Sequence, residues 1–197
     1  MIRDDIILAS ASPRRIEMLR REGIGAAVQP ADINEELPFA MSPETAVMYL
    51  SFAKAAHVAG QRQGLIIAAD TIVVCDGEII GKPADEADAF RILSMLRRRE
   101  HQVITGVCLI DNAKEPADKT CLYEVTEVFF GDYTDEELLA YVRTPEPYDK
   151  AGGYAIQETF GRYIDHIEGD LDNVIGFPMS RVKPFLMTEE AGEDAGA

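Results

Sequence analysis

The feature that most restricts the fold is a run of five apolar residues at positions 65–69, Leu-Ile-Ile-Ala-Ala, which is followed directly by Asp70. The run is too short for an ordinary helix, so it predicts a buried β-strand. Residues 71–74 continue the strand pattern, and the Asp76-Gly77 pair predicts a hairpin turn into a strand at 78–80. The sequence therefore predicts a sheet in which Asp70 is delivered at the end of a buried strand segment.

Strand and helix patterns alternate along the rest of the chain. Further strands are predicted at residues 6–9, 102–110, 120–130 and 163–167, the second and third of these being antiparallel neighbours. Helix starts are predicted at Ser12, Ser42, Asp85 and Thr134, and a last helix at 179–187 with an interruption near Pro184. Helices interleaved with strands, some of them in hairpins, predict an α/β fold around a mixed sheet.

Length and hydropathy limit the domain organisation. A chain of 197 residues with 47% hydrophobic residues can bury one core of ordinary size. We expect a single domain over residues 1–187 and an acidic, disordered tail at 188–197. No apolar run approaches the roughly 18 residues of a membrane helix, and the N-terminus lacks the pattern of a signal peptide. These features predict a cytoplasmic protein without a membrane partner.

The charge balance restricts the possible partners. The formal net charge is −16 at pH 7, which disfavours nucleic acid because polyanions are repelled at long range. Screening confines distant surface charges to about 8–10 Å, so a small anionic substrate can still bind where a few cations converge.

The cysteines predict neither a disulfide framework nor a zinc site. Cys75, Cys108 and Cys121 form no C-x-x-C pair, and the chain has only three histidines. Each cysteine stands among apolar, strand-like residues and is expected to be a small buried hydrophobe.

The segment Ser10-Ala11-Ser12-Pro13-Arg14-Arg15 is the strongest local candidate for an anion site. It joins a predicted strand to a predicted helix, where unpaired N–H groups and the helix dipole favour phosphate, and it adds two guanidinium groups. An ordinary capped helix start with two solvated arginines explains the same residues. The segment is not a P-loop, since G-x-x-x-x-G-K-[ST] does not occur in the chain.

Several other charged residues have both a functional and an ordinary interpretation. Asp70 at a strand end can ligate magnesium or take a proton from water, or it can hydrogen-bond to a loop. Lys54 lies in a small, apolar helical stretch, where it either reaches water or meets an anion. Glu35 lies in a polar connection, Lys82 in a turn and Lys150 before two glycines, and solvated loops explain all three equally well.

Six segments stand out when they are taken in order along residues 6–187: Leu8–Arg15, Ala69–Val73, Gly81–Pro83, His101–Gly106, Asp149–Gln157 and Asn173–Pro178. In composition and order they resemble the successive signature blocks of the Maf family. Chance agreement of six ordered blocks is remote, so this resemblance carries the functional hypothesis.

The resemblance implies the fold of the inosine-triphosphate pyrophosphatases, a twisted mixed β-sheet flanked by helices, with two lobes around a central cleft, in a homodimer. It implies metal-dependent hydrolysis of nucleoside triphosphates to monophosphate and pyrophosphate, which removes non-standard nucleotides. The implied catalytic residues are Glu35, Lys54, Asp70 and Lys82, with Glu35 and Asp70 holding magnesium or manganese. The implied substrate-binding residues are Ser10, Arg14, Arg15, Lys150 and Gln157.

Three residues carry the expected substrate preference. Arg15, Lys150 and Gln157 match the branch of the family that acts on dTTP and UTP, so these nucleotides or modified pyrimidine nucleotides are the expected substrates. Two other activities stay open: a nucleotide-binding regulator of cell division without significant turnover, and a phosphatase that releases orthophosphate.

The chain departs from the family pattern at three places, one of which is Phe177 in place of the usual leucine, a modest core change. Ala53 stands where a glutamate usually precedes the helical lysine, which bears on the orientation of Lys54. Arg97-Arg98-Arg99 adds three positive charges, which mark either a solvated helix end or an extra phosphate contact.

Overall fold

The computed structural model describes residues 1–187, which contain one seven-stranded mixed sheet flanked by helices. The strand order is β2-β1-β3-β5-β6-β7, and β4 pairs with β3 outside this path. Strand β1 runs parallel to β2 and β3, and all other pairs are antiparallel. The strands are β1 (Ile6–Leu8), β2 (Ala27–Val28), β3 (Leu65–Cys75), β4 (Glu78–Ile80), β5 (Glu100–Asp111), β6 (Asp118–Phe130) and β7 (Ile164–Glu168). The predicted α/β fold with a mixed sheet is confirmed.

Within residues 1–187, six α-helices flank the sheet, and side-chain caps mark where five of them begin, Asp170 being the cap of the fifth helix. The side chains of Ser12, Ser42, Asp85 and Thr134 each accept a backbone N–H of the first helical turn, as predicted. The helices are α1 (Pro13–Arg21), α2 (Pro43–Ala59), α3 (Glu86–Leu96), α4 (Asp135–Val142), α5 (Leu171–Ile175) and α6 (Met179–Val182). Short 3₁₀ turns occupy Glu146–Asp149, Ala151–Gly153, Thr159–Tyr163 and Lys183–Leu186.

The structure corrects several predicted boundaries. Residues 71–74 continue the strand as predicted, and pairing with β5 through Val74 places Asp70 in the middle of the eleven-residue β3 rather than at a strand end. The predicted helix at 179–187 ends as α6 and continues as a 3₁₀ turn that contains Pro184, since proline interrupts α-helical hydrogen bonding. Strand β2 and helix α5 were not predicted, because two and five residues are too few to show a period.

One edge of β3 is shared by two strands that leave a gap between them. Strand β1 pairs with residues 65–67, and β4 pairs with residues 73–75. Residues 68–72, with Asp70 at their centre, lie between these two partners. The opposite edge of β3 is paired with β5 from Leu65 to Val74. The sheet is therefore open on one side of Asp70 only.

The two faces of β3 are covered by different layers. Ile66 and Ala68 pack with residues of α2, whereas Leu65 and Ile67 pack with α1 and α6 on the other face. Gly106 of β5 is the register partner of Asp70. A Cβ atom at Gly106 would lie 2.5 Å from the backbone carbonyl carbon of Val47 in α2. This glycine lets the α2 backbone rest directly on the sheet beside Asp70.

The cysteines follow the expectation in part. Cys75 and Cys108 are buried as predicted, but Cys121 is partly exposed because β6 is only partly covered by α2. Cys108 and Cys121 are register partners on β5 and β6, and their Sγ atoms are 2.8 Å apart as free thiols.

Two further predictions concern membrane-spanning segments and the C-terminal tail. Within residues 1–187, no helix combines the length and the apolar character that a bilayer span requires. The predicted tail at 188–197 lies outside the described residues.

Replacing Gly106 with alanine should destabilise the protein, because the added methyl group would overlap the α2 backbone, which cannot move like a flexible side chain. We expect the free energy of unfolding to fall by about 1–3 kcal/mol, the usual cost of overpacking. Gly25→Ala is the matched control, since a Cβ there has no neighbour within 4 Å. Chemical denaturation measures both, and equal stabilities for the two variants would contradict the tight contact.

Candidate active site

A cavity of about 590 Å³ opens at the gap in the β3 edge. Its walls are the β1–α1 junction, α2, the middle of β3, the turn after β4 and the segment 149–157. The structure brings all nine sequence-predicted site residues to this one cavity: Ser10, Arg14, Arg15, Glu35, Lys54, Asp70, Lys82, Lys150 and Gln157.

The β1–α1 junction presents a hydroxyl donor to the cavity. Ser10 Oγ accepts the backbone N–H of Ser12 at 3.1 Å and Arg15 Nη1 at 3.3 Å. A serine oxygen has two acceptor sites and one hydrogen, so the hydrogen of Ser10 is left to donate. Ser12 caps α1 with Pro13 in its first turn, which aims the helix N-terminus at the same space.

Arg15 is built into the cavity wall by three hydrogen bonds. Its Nε donates to Gly176 O at 2.9 Å, Nη1 to Ser10 Oγ at 3.3 Å, and Nη2 to Thr71 Oγ1 at 3.0 Å. Burial lowers the pKa of this guanidinium group from its ordinary value. Gly176 has φ 115°, a left-handed conformation that suits glycine and ends α5 with its carbonyl near Arg15.

Lys54 lies between the two predicted metal-binding carboxylates. Its Nζ is 2.6 Å from Asp70 Oδ1 and 3.0 Å from Glu35 Oε1. Only 12% of the Lys54 side chain and 11% of the Asp70 side chain are exposed, compared with 56% for Glu35. Lys54 is oriented into the cavity even though Ala53 replaces the usual glutamate. Asp70 uses one carboxylate oxygen for Lys54, and the other has no side-chain partner among the described residues.

Lys150 is buried in the opposite wall with its ammonium group surrounded by acceptors. Its Nζ is 2.6 Å from Glu146 O, 2.6 Å from Asp149 Oδ1 and 3.0 Å from Glu158 Oε2. Two of the three ammonium hydrogens are donated to Glu146 O and Asp149 Oδ1, and Glu158 forms an ion pair with the same group. Glu158 also lies 3.6 Å from Arg14 Nη1 and links the two walls. Sequence reasoning missed Glu158, because its partners are distant in the chain and no pattern marks it.

Lys82 and Gln157 are exposed residues at the rim of the cavity. Neither side chain has an ion pair or hydrogen bond within the described part of the chain. The turn that contains Lys82 and the segment that contains Gln157 are joined by a backbone hydrogen bond, which Gly152 N donates to Gly81 O at 3.0 Å. Gly152 has φ 70° and lies on the Val73 side chain, where a Cβ would approach to 2.9 Å. Gly152 therefore packs on β3, whereas Gly153 faces Pro83 and Leu93.

The arginine triplet at 97–99 lies outside the cavity. Its members pair with three acids at the surface: Asp135, Asp132 and Asp76, respectively. Arg97 also lies over the Tyr133 ring. The triplet therefore forms the ion-paired end of α3 rather than part of the cavity lining.

His101 supports the cavity wall from behind. Its Nε2 is 2.5 Å from Tyr154 Oη, and Tyr154 lines the cavity. His101 is buried, and its Nδ1 has no hydrogen-bond partner among residues 1–187. This desolvation lowers the pKa of His101 to about 4, so the imidazole is neutral at pH 7. The sequence showed His101 only as part of a motif.

The cavity is locally positive in a strongly acidic protein. Its lining holds five cationic residues and three carboxylates: Arg14, Arg15, Lys54, Lys82 and Lys150, with Glu35, Asp70 and Asp149. The lining therefore has a surplus of two positive charges, whereas the whole chain carries −16.

The fold and this cavity define a class: an α/β protein whose open sheet edge holds a carboxylate–lysine cluster opposite a helix N-terminus with two arginines. The profile of the Maf-like protein family matches residues 5–189, and the chain belongs to this family.

Relatives match over most of the chain. It is 45% identical over 188 residues to a dTTP/UTP pyrophosphatase of Desulfitobacterium hafniense, covering 92% of this chain and 83% of the relative. It is 46% identical over 184 residues to one of Geobacter metallireducens, covering 93% and 95%. Among solved structures, the Staphylococcus aureus Ham1 protein aligns with a TM-score of 0.48 and 15% identity over 92% of this chain and 97% of that one.

The stability of the protein should fall in acid because of His101. Its pKa is about 4 when folded and 6.5 in its ordinary state, so the unfolded chain binds the extra proton between these values. The contribution of the neutral His101 imidazole to the free energy of unfolding is fully present above pH 6.5. It is lost toward pH 4, at up to about 1.4 kcal/mol per pH unit.

His101→Gln should remove this part of the slope, and His166→Gln, at an exposed site, should retain it. The measurement is the free energy of unfolding by urea at a series of pH values from 4.5 to 7.5. A difference between wild type and His101→Gln that does not vary with pH would contradict the buried neutral imidazole.

Proposed function

We propose that this protein hydrolyses nucleoside triphosphates, preferably dTTP and UTP, to nucleoside monophosphate and pyrophosphate. The observation that carries the proposal is the Asp70–Lys54–Glu35 cluster, which shares one cavity with the arginine-bearing N-terminus of α1. The names of relatives at 45% and 46% identity support the same reaction. In the cell, this reaction would remove non-standard nucleotides, including modified pyrimidine nucleotides.

The carboxylates suit a divalent cation that binds together with the substrate. Magnesium in nucleotide enzymes is commonly held by one or two carboxylates plus substrate phosphates. Asp70 and Glu35, brought together around Lys54, supply two carboxylates, and no cluster of three metal-binding side chains occurs within residues 1–187. We propose that they hold magnesium or manganese, which when bound would neutralise phosphate charge and polarise the reacting phosphoryl group.

The residues of the cavity would each have a separate role in the proposed reaction. Asp70 would accept a proton from the attacking water through its second carboxylate oxygen. Arg14, Arg15, Lys54 and Lys82 would neutralise the triphosphate and the departing pyrophosphate, where charge develops as the α–β bond breaks. The Ser10 hydroxyl would donate to a phosphate oxygen.

The pyrimidine preference rests on the wall formed by residues 149–157. Gln157 presents an exposed amide that can both donate to and accept from the polar edge of a pyrimidine. The resemblance implies that Lys150 is a substrate-binding residue; its buried ammonium group donates two hydrogen bonds to protein acceptors and forms an ion pair with Glu158. We therefore propose that Lys150 acts by holding this wall in place. The homodimer and the cytoplasmic location stay predictions.

The two alternatives differ from the proposal in observable products. A regulator without turnover would bind nucleotide and release nothing, and a phosphatase would release orthophosphate. Incubation of the purified protein with dTTP or UTP and magnesium, followed by separation of the products, distinguishes all three. Monophosphate and pyrophosphate in equal amounts are the expected products.

Asp70→Asn should abolish most of the activity, because an amide cannot accept the proton or carry the charge. We expect kcat for pyrophosphate release to fall by at least about a hundredfold, the usual contribution of a general base. Asp76→Asn makes the same change in the hairpin turn outside the cavity and should leave kcat within about twofold of wild type. Unchanged pyrophosphate release by Asp70→Asn would remove Asp70 from the mechanism.

Removal of divalent metal should stop the reaction. With EDTA in excess, we expect pyrophosphate release from UTP to fall by at least about a hundredfold, because the lining supplies too few positive charges for a triphosphate. Adding back magnesium or manganese should restore the rate of pyrophosphate release. Calcium is added in a parallel reaction as the comparison ion. Full activity in EDTA would contradict a metal-dependent reaction.

A further inference from the structure

A chain of hydroxyl groups runs from Arg15 into the core. Arg15 Nη2 donates to Thr71 Oγ1 at 3.0 Å, and Thr71 Oγ1 lies 3.0 Å from Thr105 Oγ1. Thr105 Oγ1 donates to the backbone carbonyl oxygen of Asn173 in α5 at 3.0 Å. Thr105 is fully buried in the middle of β5, with no exposed side-chain surface. Three contacts thus connect a cavity residue to a carbonyl group inside the protein.

The direction of this chain follows from the number of hydrogens. A threonine hydroxyl has one hydrogen, and a backbone carbonyl can only accept. The hydrogen of Thr105 is used for Asn173, so Thr105 Oγ1 must accept the hydrogen of Thr71. The hydrogen of Thr71 is therefore turned away from Arg15, and its lone pairs face the guanidinium group.

Two N–H groups of Arg15 are left for a ligand. A guanidinium group has five N–H groups, and three of them bind Gly176 O, Ser10 Oγ and Thr71 Oγ1. The other two have no acceptor among residues 1–187, and Arg15 lines the cavity. The three protein acceptors thus decide where the two remaining N–H groups point.

We propose that Thr105 is a positioning residue for Arg15, acting through Thr71 to hold the guanidinium group in the orientation that binds phosphate. The inference rests on the proposed function, in which Arg15 contacts the triphosphate.

Thr105 is suited to this role because water cannot replace it. In this buried position the loss of its hydroxyl would leave Asn173 O with the Gly176 N–H as its remaining donor and would free the Thr71 hydrogen to rotate toward Arg15. A hydrogen facing the guanidinium group repels it, so Arg15 would lose one of its three fixed acceptors.

The test compares Thr105→Val, which keeps the shape and removes the hydroxyl, with Thr105→Ser, which keeps the hydroxyl. For Thr105→Val we expect KM for UTP to rise about tenfold with kcat changed less than about threefold, as for loss of one charge-assisted hydrogen bond. The dissociation constant of inorganic pyrophosphate, measured by calorimetry, should rise by the same factor. Thr105→Ser should restore both values to within about threefold of wild type. Thr120→Val is the control on β6, outside this chain of hydroxyl groups.

A double-mutant cycle separates positioning from general loss of packing. If Thr105 acts through Thr71, then Thr71→Val with Thr105→Val should bind pyrophosphate no more weakly than Thr71→Val alone. Multiplying effects in the double variant would overturn the inference, as would wild-type KM and pyrophosphate binding in Thr105→Val. Thermal unfolding of each variant identifies any that fails to fold. If Thr105→Val does not fold, Thr105→Ser is compared both with wild type and with Thr71→Val instead.

Failure of the proposed function is distinguishable from failure of this inference. If wild type releases no pyrophosphate from dTTP or UTP but binds pyrophosphate more tightly than Thr105→Val, the inference stands and the proposed reaction falls. If wild type hydrolyses UTP and Thr105→Val matches it, only the inference falls. If wild type neither turns over nor binds pyrophosphate, both fall.

Discussion

The gap in the β3 edge is the constraint on which the whole site depends. Successive side chains of a strand point to opposite faces of the sheet, so Asp70 points toward α2 and Thr71 toward the layer that contains Arg15. At a fully paired edge, these two layers would be separated by backbone. Because β1 ends at residue 8 and β4 begins only at residue 78, both layers border one cavity. The carboxylate cluster and the arginine-bearing helix therefore meet through the opening in the sheet.

The position of Asp70 in the middle of an apolar strand imposes a cost that its neighbours offset. A buried carboxylate is unfavourable unless it is paired, and Lys54 supplies the partner at 2.6 Å. The pair can form because Gly106, directly beside Asp70, lets the α2 backbone approach the sheet. A small residue on β5, a lysine on α2 and an acid on β3 thus form one unit, although they are far apart in the chain.

Sequence reasoning succeeded where the signal is local. The caps at Ser12 and Thr134 and the long strands β5 and β6 each have a pattern within a few residues, and the structure contains them as predicted. It failed where an element is too short to show a period, as in β2 and α5. It also placed Asp70 at a strand end, because an apolar run stops there while the strand continues.

Within the site, the sequence supplied residue types but not their partners. The nine candidate residues were named from a resemblance in order and composition, and their gathering in one cavity depends on pairings between distant segments. Glu158, which links Arg14 to Lys150, and the hydrogen bonds from Arg15 through Thr71 to Thr105 carry no local signature. Hydrogen-bond partners 56 or 34 residues apart in the chain follow from the fold alone.

The distribution of charge explains how an acidic protein can select a small polyanion. At physiological salt, the surplus acids on the surface act over about 8–10 Å, which is enough to repel an extended polyanion that must lie along that surface. Under the proposed function, a single nucleotide would instead enter a cavity whose lining has two more cations than carboxylates. The surface charges that disfavour nucleic acid would therefore leave this site accessible, and under the proposed function a metal bound with the nucleotide would reduce the repulsion further. Discrimination by size and charge would thus precede any contact with the base of the proposed substrate.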